Sequence, residues 1–365
     1  MIHDSLLNRD WEGVVGRLGG AETLEAGARA TKAFQRPRAV TSAVDMLRLV
    51  LAYCLGDGGL RSVAAWAAAI GLVDISNVGL LYRLRNSGDW LALLISQLLA
   101  NATPNPAQGR LIRLIDATTV AKAGRAARRT NALWRIHSVF ELPSERFGCF
   151  ELTDETGGER LDRMAVIKGE IRIADRAHMQ PDRIAAVLDG GGDVVIRSGW
   201  RHARWLDETG AQVDLLAMFA GATNGLIDQP IWIGRKSGAP LALRLIAMKK
   251  SASAAEAARR QARLQAAKEG YQLSPQGLAA ADWLIIVTSL DAATFSTTDV
   301  LDLYRLRWRI ELGFKRLKSL VGLEGPPGKD EATARAYVLA HLLMMLLLEP
   351  LVDAFEDSPH WACAV

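Results

Sequence analysis

The sequence predicts an α/β protein: a mixed sheet flanked by helices, with a β-rich insertion, preceded by an all-helical N-terminal region. Three observations carry this. Up to residue 105 the chain runs in Ala- and Leu-rich stretches separated by Gly, Asp, Asn and Pro breaks, which is a helical pattern. From Arg110 onward, short β-branched runs alternate with helical segments in the order βββαβαβ, which argues for a mixed sheet with helices on its faces. Near the C-terminal end a long helix-forming stretch stops at Gly325-Pro326-Pro327-Gly328, and a last apolar helix follows at 331–355.

Taken in order, helices are expected at 44–55, 61–69 and 90–99, and a linker at 101–106, where Pro104 and Pro106 stand. The run 110–116 reads as a strand ending in an acid. Runs 134–142 and 146–153, separated by Pro143, Ser144 and Glu145, read as a hairpin. A short helix is expected at 159–167. A second strand ending in an acid follows at 170–175, then a helix at 181–188 with Pro181 in its first turn, then a strand at 193–198. Residues 200–290 interrupt the pattern with strands at 230–234, 241–248 and 283–288 and a basic, Ala-rich helix at 253–269. A long helix capped at Thr297 or Thr298 runs to about residue 321. The expected division is 1–105 as a helical region, 110–200 with 290–328 as the core, 201–289 as an insertion and 329–365 as a C-terminal helical region.

Composition narrows the function classes. Among the 365 residues half are apolar and 23% charged, an ordinary globular balance, and the net charge of +4 only hints at a polyanionic partner. Cys54, Cys149 and Cys363 are widely spaced and odd in number, so neither a disulfide framework nor a zinc site is indicated, and the six histidines show no ligand spacing. The N-terminus has no secretory pattern. The most apolar run, 338–352, contains His341, Glu349 and Pro350 and is short for a membrane span, so it reads as a buried or interface helix. A reducing bacterial cytoplasm, with no membrane association, is expected.

Charge placement says more than the total. Arg110, Arg113, Lys122, Arg125, Arg128, Arg129 and Arg135 surround the single acid Asp116, and Arg307, Arg309, Lys315, Arg316 and Lys318 surround Glu311. A solvated helix face interleaves signs. A lone acid among cations fits a site that meets phosphates and holds a cation. Asp116 and Asp175 both end expected strands, where sites in open sheets form. If those strands are parallel neighbours, the carboxylates converge on a hard cation. For either acid alone, a turn-starting Asp explains as much. Tyr304, Arg307, Glu311 and Lys318, spaced by three, four and seven, share one helix face. A solvated salt-bridge ladder would also produce such a stripe.

Tyr304-x2-Arg307-x3-Glu311-x6-Lys318 resembles, at every interval, the Y-R-E-K signature of insertion-sequence transposases of the fourth family. These are DDE-type enzymes with a ribonuclease-H-like catalytic core. Asp116-Ala117-Thr118-Thr119 resembles the family's first-aspartate motif and Ala174-Asp175-Arg176-Ala177 its second. The resemblance spans Arg110 to the C-terminus; the first hundred residues share only helical character. It implies that Asp116, Asp175 and Glu311 form a triad binding two Mg²⁺ ions, which Mn²⁺ can replace. It implies that Tyr304, Arg307 and Lys318, with Lys315 beside them, hold DNA phosphates. Trp283 resembles the family's base-stacking tryptophan, with core packing as the competing reading. His178 departs from the family's usual aromatic residue and reads as a supporting side chain.

The implied activity is cut-and-paste DNA transposition: endonucleolytic, metal-dependent cleavage at transposon ends, then strand transfer into target DNA. The implied partners are double-stranded DNA, as terminal inverted repeats and as target, and a second copy of the chain bridging paired ends on the nucleoid. The C-terminal helix is a dimer-interface candidate, and the N-terminal region an end-reading one. No helix-turn-helix motif is evident there. The alternatives are a ribonuclease-H-like nuclease or resolvase, and a non-catalytic DNA-binding protein derived from a transposase.

Overall fold

The structure is a computed structural model that describes residues 10–101, 109–122, 133–142, 146–154, 156–308, 310–311, 313–315, 323 and 330–356. The N-terminal part is helical, as expected, with α1 Trp11–Arg17, α2 Gly20–Ala30, α3 Ala43–Leu55, α4 Leu60–Ala69, α5 Asn77–Asn86 and α6 Gly88–Asn101. Most of the proposed 101–106 linker lies outside the described residues.

The strands are β1 Ile112–Ala121, β2 Leu133–Leu142, β3 Arg146–Thr153, β4 Ile171–Ala174, β5 Asp193–Ser198, β6 Trp205–Leu206, β7 Leu226–Ile233, β8 Leu241–Lys249 and β9 Trp283–Thr288. They make one sheet in the order β3-β2-β1-β4-β5-β9-β8-β7-β6. The β1–β4 and β4–β5 pairs are parallel, and the others antiparallel. The first five strands, with β2 antiparallel between β3 and β1 and with α7 Pro181–Asp189 joining β4 to β5, are a ribonuclease-H-like core. The strands of the expected insertion continue the same sheet: β9 pairs with β5, and β8, β7 and β6 lie successively further out. β7 begins earlier than the sequence predicts and carries Pro230 in its interior. Its partner on the far side, β6, pairs only at Ile233 and Trp232, so Pro230 sits where no ladder donor is missed.

Alternation along the strands sends side chains to two faces. Leu114, Ile171, Ile173, Val195, Ile246 and Ile286 join one core with Val300, Leu301, Ile310 and Phe314. Ile115, Ala174, Val194, Ile196, Leu245 and Val287 join a second core, on the opposite face, with Ile184 and Val187 of α7 and with Leu215 and Phe219 of α8 Leu215–Gly221. The first core continues into the N-terminal helices. The C-terminal helix α12 Glu331–Glu356 packs against α3, α5 and α6. Its segment 331–348 is long and apolar enough to cross a membrane but is largely buried inside the protein, so its apolarity serves the core of this bundle.

Two expected helices differ. Residues 159–167 form turns and irregular chain. Arg172, wholly buried, donates to the carbonyls of Leu161, Met164 and Ala165. A helix there would have used the Leu161 carbonyl internally. The long helix from Thr297 to about residue 321 is interrupted. α11 Thr297–Arg305 starts at Ser296, whose hydroxyl and Asp299 form a reciprocal cap. It then tightens, because the Leu306 and Arg307 amides bond to Leu303 and Tyr304, three residues back. Helical backbone resumes at the described positions from Trp308 to Lys315. Two further helices, α9 Ala252–Glu269 and α10 Pro275–Ala281, separate β8 from β9.

Candidate active site

Asp116 and Asp175 are brought together by register. The parallel pairing of β1 with β4 ends at Ile115 opposite Ala174, so the next step along both chains sets Asp116 beside Asp175, on strands ~4.8 Å apart. Asp116 is not at the end of its strand. β1 runs on to Ala121, paired with β2. Only the parallel half of its pairing ends at Ile115. With period two, Asp116 follows Leu114 and Asp175 follows Ile173, so both carboxylates project from the face covered by the 297–315 segment.

That segment connects Glu311 to Asp116 through a cation. The Arg307 guanidinium lies 3.8 Å from Asp116 and 2.5 Å from Glu311. Glu311 is about half exposed and turned to Arg307. Tyr304, one turn before Arg307, has a buried hydroxyl with no hydrogen-bond partner. Burial raises its pKa. Lys315 lies exposed one turn beyond Glu311. Lys318 lies outside the described residues, as do the breaker residues 325–328.

The two aspartates are held differently. Burial pushes the Asp116 carboxyl up to about 6, and the nearby Asp175 adds to that, against the Ala117 amide and the Arg307 charge. Asp175 is also partly buried, which would raise it. Hydrogen bonds from His178 at 3.1 Å and the Ala177 amide at 2.9 Å outweigh this, with help from the His178 and Arg307 charges, and hold it below the usual carboxylate range. Arg307 is likewise half-buried, yet Tyr304, Glu311 and Asp116 hold its pKa above the ordinary value. Convergent carboxylate oxygens on neighbouring strands, one carboxyl raised by burial, are the donor set of a hard divalent cation. The residues present fit such an ion.

Among the described residues, the basic cluster around Asp116 is engaged within the protein. Arg110 pairs with Asp193. Arg113 is buried and pairs with Glu141 at 2.9 Å and Glu170 at 3.0 Å. Arg135 donates to the Gly157 carbonyl, and Lys122 lies over the Trp134 ring. Charges on a buried strand must be matched internally, which a count along the sequence cannot reveal. Arg125, Arg128 and Arg129 lie outside the described residues.

The cations that do face open space come from elsewhere. A cavity of about 640 Å³ opens beside the aspartates, and Asp175, Arg176, Arg197, Arg201, Lys250 and Arg307 line it. Its aromatic lining comprises Trp200, Tyr271 and Trp283. Trp283 is nearly buried, with its ring stacked on Phe219 at 4.7 Å and 16°. Tyr271 is half exposed. Sequence reading missed Arg176, Arg197, Arg201 and Lys250, because they are dispersed over the 3₁₀ turn Arg176–His178, β5 and the loops after β5 and β8. No contiguous signal marks them.

Residues 107–347 match the family described as Transposase DDE domain. The chain is 36% identical over 358 residues, 96% of each chain, to a putative transposase, InsL, of insertion sequence element IS186A from Escherichia coli strain K12. It is also 36% identical over 361 residues, again 96% of each chain, to the transposase of insertion sequence element IS421 from Escherichia coli.

Proposed function

This chain belongs to the DDE transposase family, enzymes that cleave and transfer DNA with divalent metal, and from that premise we propose that Asp116, Asp175 and Glu311 are its catalytic, metal-binding carboxylates in cut-and-paste transposition. The observation that carries the assignment is the β1–β4 register. It makes Asp116 and Asp175 neighbours, on the face where Arg307 links Asp116 to Glu311. The ions are two Mg²⁺, with Mn²⁺ able to substitute. When bound, they activate the attacking oxygen and stabilise the leaving oxygen of the phosphodiester.

The chain's own residues position the DNA. Arg307 lies between Asp116 and Glu311, and its planar fork would suit bidentate contact with a phosphate held beside those acids. The orphaned Tyr304 hydroxyl gains an acceptor in the same phosphate. Lys315 and Lys318 continue that contact along the strand. The cavity with Arg176, Arg197, Arg201 and Lys250 receives DNA next to the cut, since cations along a groove track a phosphate backbone. Trp283 forms part of its wall, and the open aromatic face there belongs to Tyr271.

Residues 1–105 read the terminal inverted repeats. In support, α5 holds Val78 and Tyr82 outward at 70% and 63% exposure, and Arg36 and Arg38 are exposed on the loop between α2 and α3. Two ends require two active sites, so the working assembly is a homodimer on DNA in the bacterial cytoplasm, associated with the nucleoid. The buried face of α12 up to Leu348 serves the bundle, so the dimer contact draws on other surface.

Incubating the purified protein with a plasmid carrying the repeats, in Mg²⁺ or in EDTA, and beside Glu311→Gln, tests this. Metal-dependent cuts at the repeat ends with joined products are expected, and Glu311→Gln abolishes both. Cuts without joining would indicate a nuclease or resolvase. Specific binding without cutting would indicate a non-catalytic descendant. Equal cutting by Glu311→Gln would displace the active site.

A further inference from the structure

Between β3 and β4 the described residues form no regular element, yet they are firmly placed. Gln180 donates to the Glu159 carbonyl at 2.8 Å. Arg172 grips the carbonyls of Leu161, Met164 and Ala165, and Arg113 adds a second bond to Ala165 at 3.0 Å. Glu170, wholly buried, pairs with both arginines. A buried network with its donors matched specifies one arrangement of the chain.

The consequence is a meeting of ligand side chains. Among the described residues, a carboxylate oxygen of Glu159, one of Asp175 and a ring nitrogen of His178 all lie within 4.8 Å of one another. His178 is buried, and both the His178 ring nitrogen and the Ala177 amide donate to Oδ1 of Asp175, not to Oδ2. Arg135 lies 3.9 Å from the Glu159 carboxylate, beyond hydrogen-bond range. Glu159 and Asp175 thus bring two carboxylates into one half-buried space, where a shared cation favours the charged form of both.

We propose that Glu159 is a further metal ligand of this active site, binding the ion held by Asp175, with His178 positioning Asp175. The proposal rests on the reading of Asp175 as a metal-binding residue. Carboxylate oxygens are the donors that a hard divalent ion prefers. With Asp116, Asp175 and Glu311, a fourth carboxylate brings the formal ligand charge level with two divalent cations. Nothing in the sequence marked Glu159, which stands in a segment expected to be helical.

The test is a Mn²⁺ titration of the full chain without DNA, read by the electron paramagnetic resonance signal of free Mn²⁺. Glu159→Gln is expected to weaken binding on the order of 10–100-fold. Glu151→Gln, an acid on β3 paired with Arg163, and Arg135→Ala should bind as the parent does. Thermal unfolding in EDTA checks that each variant is folded. If Glu159→Gln does not fold, Glu159→Asp, with its carboxylate withdrawn by one methylene, should bind Mn²⁺ measurably more weakly than the parent. Wild-type Mn²⁺ affinity in either Glu159 variant, with affinity lost in Asp175→Asn, overturns the proposal and leaves the metal centre standing. Equal loss in Arg135→Ala also overturns it, by making Glu159 a partner of Arg135. Unchanged affinity in Asp175→Asn overturns the reading of the centre itself.

Discussion

The ends of the paired stretches of β1 and β4 present the same residue to the same space and hold it in opposite ways. Asp116 sits where β1 continues as a strand, its backbone committed to the β2 ladder, opposite a buried Ser138 whose hydroxyl has no partner. Its local donor is the Ala117 amide at 2.8 Å, and burial pushes its pKa up to about 6. Asp175 sits where β4 turns into a 3₁₀ turn. The turn aims the Ala177 amide and the His178 ring back at the carboxylate, which is held ionised below its ordinary range despite burial. The element on the C-terminal side of the acid, strand or turn, decides how many donors the carboxylate collects. A carboxylate held ionised and a carboxylate held toward neutrality are thus built from one residue type.

Four experiments break or sharpen this comparison. The largest effect is shared. Asp116→Asn and Asp175→Asn should each reduce metal-dependent cleavage of an end-bearing plasmid by at least ~10³-fold, the upper end of what one electrostatic stabiliser supplies. Substantial cleavage by either variant would separate the pair.

Stability should divide them. Asp116 titrates at about 6 against 3.8, so the folded protein holds that proton more tightly than the unfolded chain does. The stability it contributes is present at low pH and lost as pH rises from about 4 to 6. In EDTA at pH 7.5, Asp116→Asn should therefore gain about 2–3 kcal/mol, at 1.36 kcal/mol for each of roughly two pH units. Asp175 runs the other way. Its contribution is present above the unfolded pKa and lost as pH falls through the folded one, so Asp175→Asn should be destabilised at pH 7.5. Melting curves from pH 4 to 8 decide it, and two variants shifted in the same direction would end the contrast.

Arg307 is the link from Asp116 to the third acid. Arg307→Gln should lower cleavage on the order of 10–100-fold with end binding in EDTA little changed, and Arg307→Lys should not restore it, since a point charge lacks the fork. Full rescue by lysine would reduce Arg307 to its charge. The smallest effect belongs to His178→Phe, which keeps a ring and deletes the donor to Asp175. About 1 kcal/mol of metal-free stability at neutral pH should go with that hydrogen bond, seen as a lowered Tm. An unchanged Tm would leave Asp175 to the Ala177 amide alone.

Much of this arrangement was legible in the sequence. β3, β5 and β9 begin and end at the expected residues, and α3, α4 and α7 within one of them, because alternation and helix periodicity are local signals. The acids Asp116, Asp175 and Glu311 stood out, as did Tyr304 and Arg307. The interruption at Leu306 and Arg307 did not, since three-residue and four-residue hydrogen bonding share one composition. Arg113 looked like a phosphate contact until its partners Glu141 and Glu170 arrived from other strands.

By itself the sequence determined the helical and extended segments, the identity of the acids and the turn that gives Asp175 its donors. Each depends on neighbours within a few positions. Only the tertiary structure decided that β1 and β4 pair in the register placing Asp116 beside Asp175, that β6 to β9 extend the same sheet, that α12 closes the N-terminal bundle and that Glu159 arrives beside His178. Those outcomes depend on strand partners, on ion pairs between distant residues and on the burial that forces them. Their energies are set by groups far apart along the chain, so no local pattern encodes them.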